Sequence, residues 1–218
     1  MRKRTILFIA ALLAVSGAAA AGTLDRLSFR LTPGGFLPVG GHYNDEVRLR
    51  SVVSVGAGLT AGLRYKVNDY FYLGADYGLT WMKAKSGYRP FDYKETGPAL
   101  NVMMLTLNST FVISTGFGIN PYFTVGAGLY PWRFSQTWLW GNPWPALADP
   151  TGTFAMNSLG FNTGLGLEKH LSSHLSAYLE VTYHYVFARN PVKLGTDDFT
   201  QQDFLGINLG VSFALGKE

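Results

Sequence analysis

Six charged residues stand where the rest of the chain avoids charge. Arg30, Arg64, Lys66, Asp76, Glu168 and Glu180 interrupt segments in which apolar residues alternate with small, uncharged ones. An arginine beside a carboxylate forms a charge-assisted pair, and such a pair survives away from water only when both partners are in place. Arg30, Arg64, Asp76 and Glu180 fall at similar distances from the ends of their segments, so they are expected to meet as one four-charge cluster. Lys66 and Glu168 are expected to form a second pair. Two roles are open to the cluster: a static plug, or a gate that opens when the pairs exchange partners.

Catalytic chemistry finds little footing. Cysteine is absent, and no serine, histidine and acid stand at workable spacing for nucleophilic catalysis. His170 and His174 are four apart, but they fall in a predicted turn, where that spacing does not bring side chains together as it does on a helix. Asp197, Asp198 and Asp203 do not fix the six or more oxygens that calcium takes. The expectation is a protein that is not an enzyme and holds no metal or cofactor.

Aromatic residues offer a second kind of chemistry. Residues 131–154 read PWRFSQTWLWGNPWPALADPTGTF and hold Trp132, Trp138, Trp140 and Trp144, four of the five tryptophans. Tryptophan favours the boundary between lipid and water, so these side chains suit an interfacial girdle. They equally suit an apolar vestibule for a small hydrophobic solute. Lys83, Lys85, Arg89 and Lys94 give another loop a basic bias, suited to lipopolysaccharide phosphates, to an acidic polymer, or simply to solvent.

What must position these residues is legible in residues 121–130, PYFTVGAGLY, where Phe123, Val125, Ala127 and Leu129 alternate with Tyr122, Thr124, Gly126, Gly128 and Tyr130. A period of two belongs to a β-strand, whose side chains point to opposite faces in turn. The same pattern recurs at Leu27, Phe29 and Leu31; from Val53 to Tyr65; from Phe71 to Trp81; from Met103 to Phe111; from Leu159 to Leu167; from Leu175 to Phe187; and from Leu205 to Leu215. Eight strands of roughly nine to thirteen residues result. Tight turns are expected at residues 67–69, 114–118 and 169–174, and long loops at 32–50, 83–98, 131–153 and 188–203. Short and long connections alternate along an even number of strands, which makes an up-and-down meander.

The apolar phase of strands two to eight carries no charge and tends towards aromatic ends at Tyr65, Phe71, Trp81, Phe111, Phe187 and Phe213. The other phase is small and polar, as in Ser54, Gly56, Gly58, Thr60 and Gly62. Water-facing stripes of a soluble barrel would be richer in Lys and Glu. Apolar-out, polar-in strands with aromatic girdles describe a barrel in a membrane, whose edges must close because hydrocarbon satisfies no backbone group. The fold class expected is therefore all-β: an eight-stranded antiparallel up-and-down transmembrane β-barrel with short periplasmic turns and four long extracellular loops. Glycine on the inward phase leaves room for Tyr72, Tyr122, Tyr130 and Tyr178.

Residues 1–21 are expected to be a cleaved export signal, with basic MRKR, an apolar run over residues 5–15 and A-x-A sites over 18–21; residues 22–218 would form the barrel domain. Arg2, Lys3 and Arg4 supply three of the four net positive charges, so the mature chain is nearly neutral and no nucleic-acid partner is implied.

The signal, the eight alternating strands, the four long loops and segments such as PYFTVGAGLY and LGINLGVSFAL resemble the small outer-membrane barrels of the OmpA, OmpX and OmpW type, with OmpW nearest in general pattern. The resemblance implies location in the outer membrane, contact with lipopolysaccharide, and a terminal signal for the barrel-assembly machinery at Asn208, Gly210, Phe213 and Leu215. The chain departs from that signal by continuing beyond the aromatic Phe213. Lipid A deacylases occur among such barrels, but they would want Ser two residues after His184, where Val186 stands. Two functions remain open: a narrow channel or carrier for small hydrophobic solutes, and a non-conducting structural or adhesive surface protein acting through its loops.

Overall fold

The computed structural model describes residues 24–42, 48–83, 85, 100–135, 153–188 and 201–216. Eight antiparallel strands close into a barrel in chain order: β1 (Leu27–Gly40), β2 (Gly56–Asn68), β3 (Phe71–Met82), β4 (Leu100–Val112), β5 (Ile119–Ser135), β6 (Thr153–His170), β7 (Leu175–Phe187) and β8 (Gln201–Ala214), with β1 paired to β8. A 3-10 turn, Leu24–Arg26, precedes β1, and a single helical turn, α1 (Leu49–Val52), lies between β1 and β2. The export signal, Trp138, Trp140, Trp144, Arg89, Lys94, Asp197 and Asp198 lie outside the described residues.

The apolar phase faces outward, as expected. Leu107 is 72% exposed, and Leu59, Leu73, Leu165 and Leu209 are exposed beside it around the ring. Aromatic pairs mark both borders of this belt. Phe71 and Phe111 lie 5.0 Å apart at the short-turn end, while Phe161 stacks on Tyr185 at 5.0 Å towards the loop end.

Several expected boundaries move. The first strand does not stop at Leu31 but runs to Gly40, through residues assigned above to a loop. Pro33, Gly34, Gly35 and Pro38 look like turn residues, yet closure overrides them because β1 must pair on both sides. The prolines, which bring no N–H to a ladder, leave their mark: β8 pairing is interrupted at Thr32 and Pro33, and the register shifts between Pro38 and Gly40. Val53 and Val55 precede β2, and Val53 is buried beneath the loop end where the alternation pattern placed it outward. β5 and β6 are 17 and 18 residues long and pair from Ile119↔Lys169 to Ser135↔Thr153. This hairpin carries Trp132 out of the expected loop and into a strand. His170 ends β6 rather than sitting in a turn, and its Nδ1 lies 2.8 Å from Ser176 Oγ.

Inward glycines do make room for rings. A Cβ on Gly166 would strike the Tyr122 ring, and one on Gly210 would meet the ring of Tyr178. Gly164, two residues along the same face, would bring a Cβ no nearer than 3.1 Å to a methyl of Thr182. Gly166→Ala is therefore expected to cost about 1–3 kcal/mol by overpacking, and Gly164→Ala far less. Urea midpoints of the two variants refolded in vesicles check this; equal midpoints would refute the packing argument.

Candidate functional site: the lumen

Inward positions fill the bore in three layers. At the long-loop end the lining is dry. Phe36, Met82, Leu100, Val102, Met104, Tyr130, Trp132, Met156, Val186 and Phe204 form one buried apolar cluster with Leu49, Val52 and Val53. The last three come from α1 and the residue after it, so residues 49–53 fold over the bore as a lid. Leu49 is fully buried. The lid is tied by its backbone: Leu49 N–H donates to Gly41 O at 3.0 Å, Ser54 N–H to Lys83 O at 2.8 Å, and Lys85 N–H to Val52 O at 2.8 Å. The small, polar inward phase expected from the sequence gives way to apolar side chains here. The outward phase drew attention because it is apolar along its whole length, whereas the inward phase turns apolar only next to the long loops.

The middle layer is a network of neutral groups around one acid. Asn108 Nδ2 donates to Asp76 Oδ2 at 2.7 Å, and Asn162 Nδ2 to Asn108 Oδ1 at 3.0 Å. His184 lies 3.3 Å from Tyr130 OH and 3.2 Å from Thr182 Oγ1, which also accepts from Asn208 Nδ2 at 3.0 Å. The space left is a cavity of about 40 Å³. At roughly 30 Å³ per liquid water, that is room for one or two molecules.

Below it, two arginines cross the bore. Arg64 on β2 reaches Glu168 on β6, Nη1 to Oε2 at 3.1 Å, and these strands are diametrically opposite in a ring of eight. Arg30 on β1 donates through Nη2 to Tyr122 OH on the opposite strand β5 at 3.2 Å and to Glu180 Oε2 at 3.5 Å. Its guanidinium lies 3.8 Å from the centre of the Tyr178 ring, whose hydroxyl bonds Thr32. All four charged groups are buried.

The expected four-charge cluster thus resolves into two bridges. Arg30 and Glu180 do meet, but Arg64 takes Glu168 instead of joining them. Lys66, whose expected partner was Glu168, lies 3.0 Å from Asp69 in the adjacent turn. A side chain near the mouth reaches its own turn more easily than the far wall. Asp76 leans across Gly62, the residue paired to both it and Arg30, but its bond goes to Asn108. Tyr122, Tyr178, Asn108 and Asn162 were not singled out as part of this set; their inward phase was the available signal.

Trp132 faces the lumen, 2% exposed, and its Nε1 donates to Ser158 Oγ at 3.0 Å. It belongs to the dry outer layer and not to a loop surface. Asn208 and Gly210 also face inward, whereas Phe213 and Leu215 are exposed on the outside. Among the described residues no group of three His, Asp or Glu is placed to hold a metal.

A family model described as outer membrane protein beta-barrel domain matches residues 7–213. No curated protein matches the chain. Among solved structures, Neisserial surface protein A is similar over 86% of this chain and 96% of its own, with a TM-score of 0.58 and 10% identity. The outer membrane protein AlkL, solved by solid-state NMR in DMPC bilayers, is similar over 92% of this chain and 95% of its own, with a TM-score of 0.51 and 14% identity. At these identities the likeness is one of fold.

Removing Glu180 leaves Arg30 buried beside its tyrosines with no carboxylate in contact. Glu180→Ala is expected to cost about 3–5 kcal/mol and to raise single-channel conductance in a planar bilayer as the second bridge loosens. An unchanged trace from a folded variant would make the bridges a static plug.

Proposed function

Because the chain belongs to the family of outer-membrane β-barrel domain proteins, its barrel lies in the outer membrane with lipid against its apolar belt, and we propose that it takes up small hydrophobic solutes at its extracellular mouth while remaining closed to ions. The dry outer layer carries this reading. A barrel that needed only to be sealed could do so with the bridges and the asparagine network below; an additional apolar layer, which includes Trp132 and is covered by the α1 lid, suits a ligand without hydrogen-bonding groups that displaces the lid. Such a solute would replace Leu49, Val52 and Val53 against the same wall. Trp138, Trp140 and Trp144 follow Trp132 in the chain and extend the proposed route outward. The exposed Phe213 and Leu215, with inward Asn208 and Gly210, are proposed as the recognition signal for barrel assembly. No catalytic role is proposed.

A second reading, a non-conducting structural or adhesive protein acting through its loops, is favoured by the two cross-lumen bridges, which close the bore in either case. The outer layer distinguishes them. Titration of the refolded barrel with bromodecane should quench a saturable share of tryptophan emission, and that share should fall in Trp132→Phe. Quenching that grows linearly and is the same in both proteins would reflect partition into lipid and favour the surface role. Leu49→Ser, which loosens the lid, should strengthen the saturable component.

A further inference from the structure

The short-turn mouth holds a feature that solute capture at the other end does not use. A cavity of about 360 Å³ opens between the Arg64–Glu168 bridge and the periplasmic turns, with Arg26, Lys66, Ser28, Ser176, Ser212 and His170 among its walls. Nine times the size of the space in the middle layer, it falls within the range of small-molecule sites.

Arg64 forms the inner end of this cavity. It is 3% exposed, and only Nη1 of its guanidinium has a hydrogen-bond partner; Nε and Nη2 are buried and unpartnered. The rings of Tyr72 and Tyr122 are each centred 5.4 Å from its guanidinium carbon. Arg30 is a useful contrast. Its guanidinium is stacked against Tyr178 and both its oxygen partners share one nitrogen, but the space beside it is only the small middle cavity. Arg64 alone of the two borders the larger cavity, although its idle donors are shielded from it until the guanidinium turns.

Among the described residues three acids border the mouth, of which Asp25 stands at the exposed rim and the other two are engaged. Glu168 accepts from Arg64, and Asp69 lies with Lys66. What is left unanswered is donor capacity: the guanidinium edge and serine hydroxyls that can turn towards an acceptor. A guanidinium fork matches the paired oxygens of a phosphate or carboxylate, and serine hydroxyls complete such a shell.

We propose that the periplasmic mouth of the barrel is a binding site for a small oxyanion, a phosphate group or its equivalent, held by Ser28 and Ser212 and by the Arg64 guanidinium, which turns to bring Nε and Nη2 to the cavity. The bound group enters from the periplasmic side and leaves the outer compartment unaffected, so this site stands or falls independently of solute uptake.

The test uses the full barrel refolded in lauryldimethylamine oxide, a detergent without phosphate, titrated with inorganic phosphate by calorimetry. The expected result is saturable binding of one phosphate per barrel, weakened about tenfold or more by Arg64→Lys, which keeps a cation beside Glu168 but has no fork. If Arg64→Lys does not fold, Ser28→Ala combined with Ser212→Ala leaves the bridge intact and should weaken binding severalfold. A parallel titration with dihexanoyl phosphatidic acid separates the sources. Arg64-dependent binding of the lipid, tighter than that of free phosphate, assigns the site to a headgroup; a preference for inorganic phosphate assigns it to a soluble anion. Absence of saturable binding would mean that water alone fills the cavity, and binding indifferent to these substitutions would place the anion elsewhere; either result would overturn the proposal.

Discussion

Hydrocarbon offers no hydrogen bonds, and that single constraint dictates most of this molecule. Each backbone N–H and C=O at membrane depth must find a partner in another strand, so the eight strands have to close. Closure at eight leaves a bore barely wider than two facing side chains. From this follow the glycines opposite tyrosines, the lack of any large opening in the middle layer, and the ability of one arginine to touch the far wall.

The bore is graded along its axis. Its outer third is packed with aliphatic and aromatic side chains, its middle with amides and hydroxyls, and its inner third with ion pairs that face a wet mouth. Burial of a charge costs least where water is nearest, and the bridges sit next to the larger cavity. An apolar lid, by contrast, gains from being dry. The order of the layers therefore places each kind of side chain where its solvation is least unfavourable.

Much of this was legible in the residues themselves. The outward phase and the count of eight strands came through because a lipid-facing stripe must be apolar throughout, as from Leu59 to Leu63 or Leu205 to Leu209. Arg30, Arg64 and Glu180 were recognisable because charges on an otherwise neutral phase have to be inside. Local composition misled where it opposed closure: Pro33, Gly34 and Pro38 suggested a loop, yet both neighbours of β1 needed a partner. The pairing of Arg64 with Glu168 was beyond reach, since strand order does not give the height at which opposite walls meet. Trp132 was missed because Pro131 reads as the end of a strand, and the α1 lid because Arg48 and Arg50 flank Leu49 and give it the look of a solvated loop.

The interruption at Thr32 and Pro33 and the shift beside Pro38 all fall on the same joint, where the first and last strands of the chain meet. That joint is also the one a growing sheet must make between residues far apart in sequence. The prolines thus mark a seam: the line along which the cylinder is zipped shut on insertion.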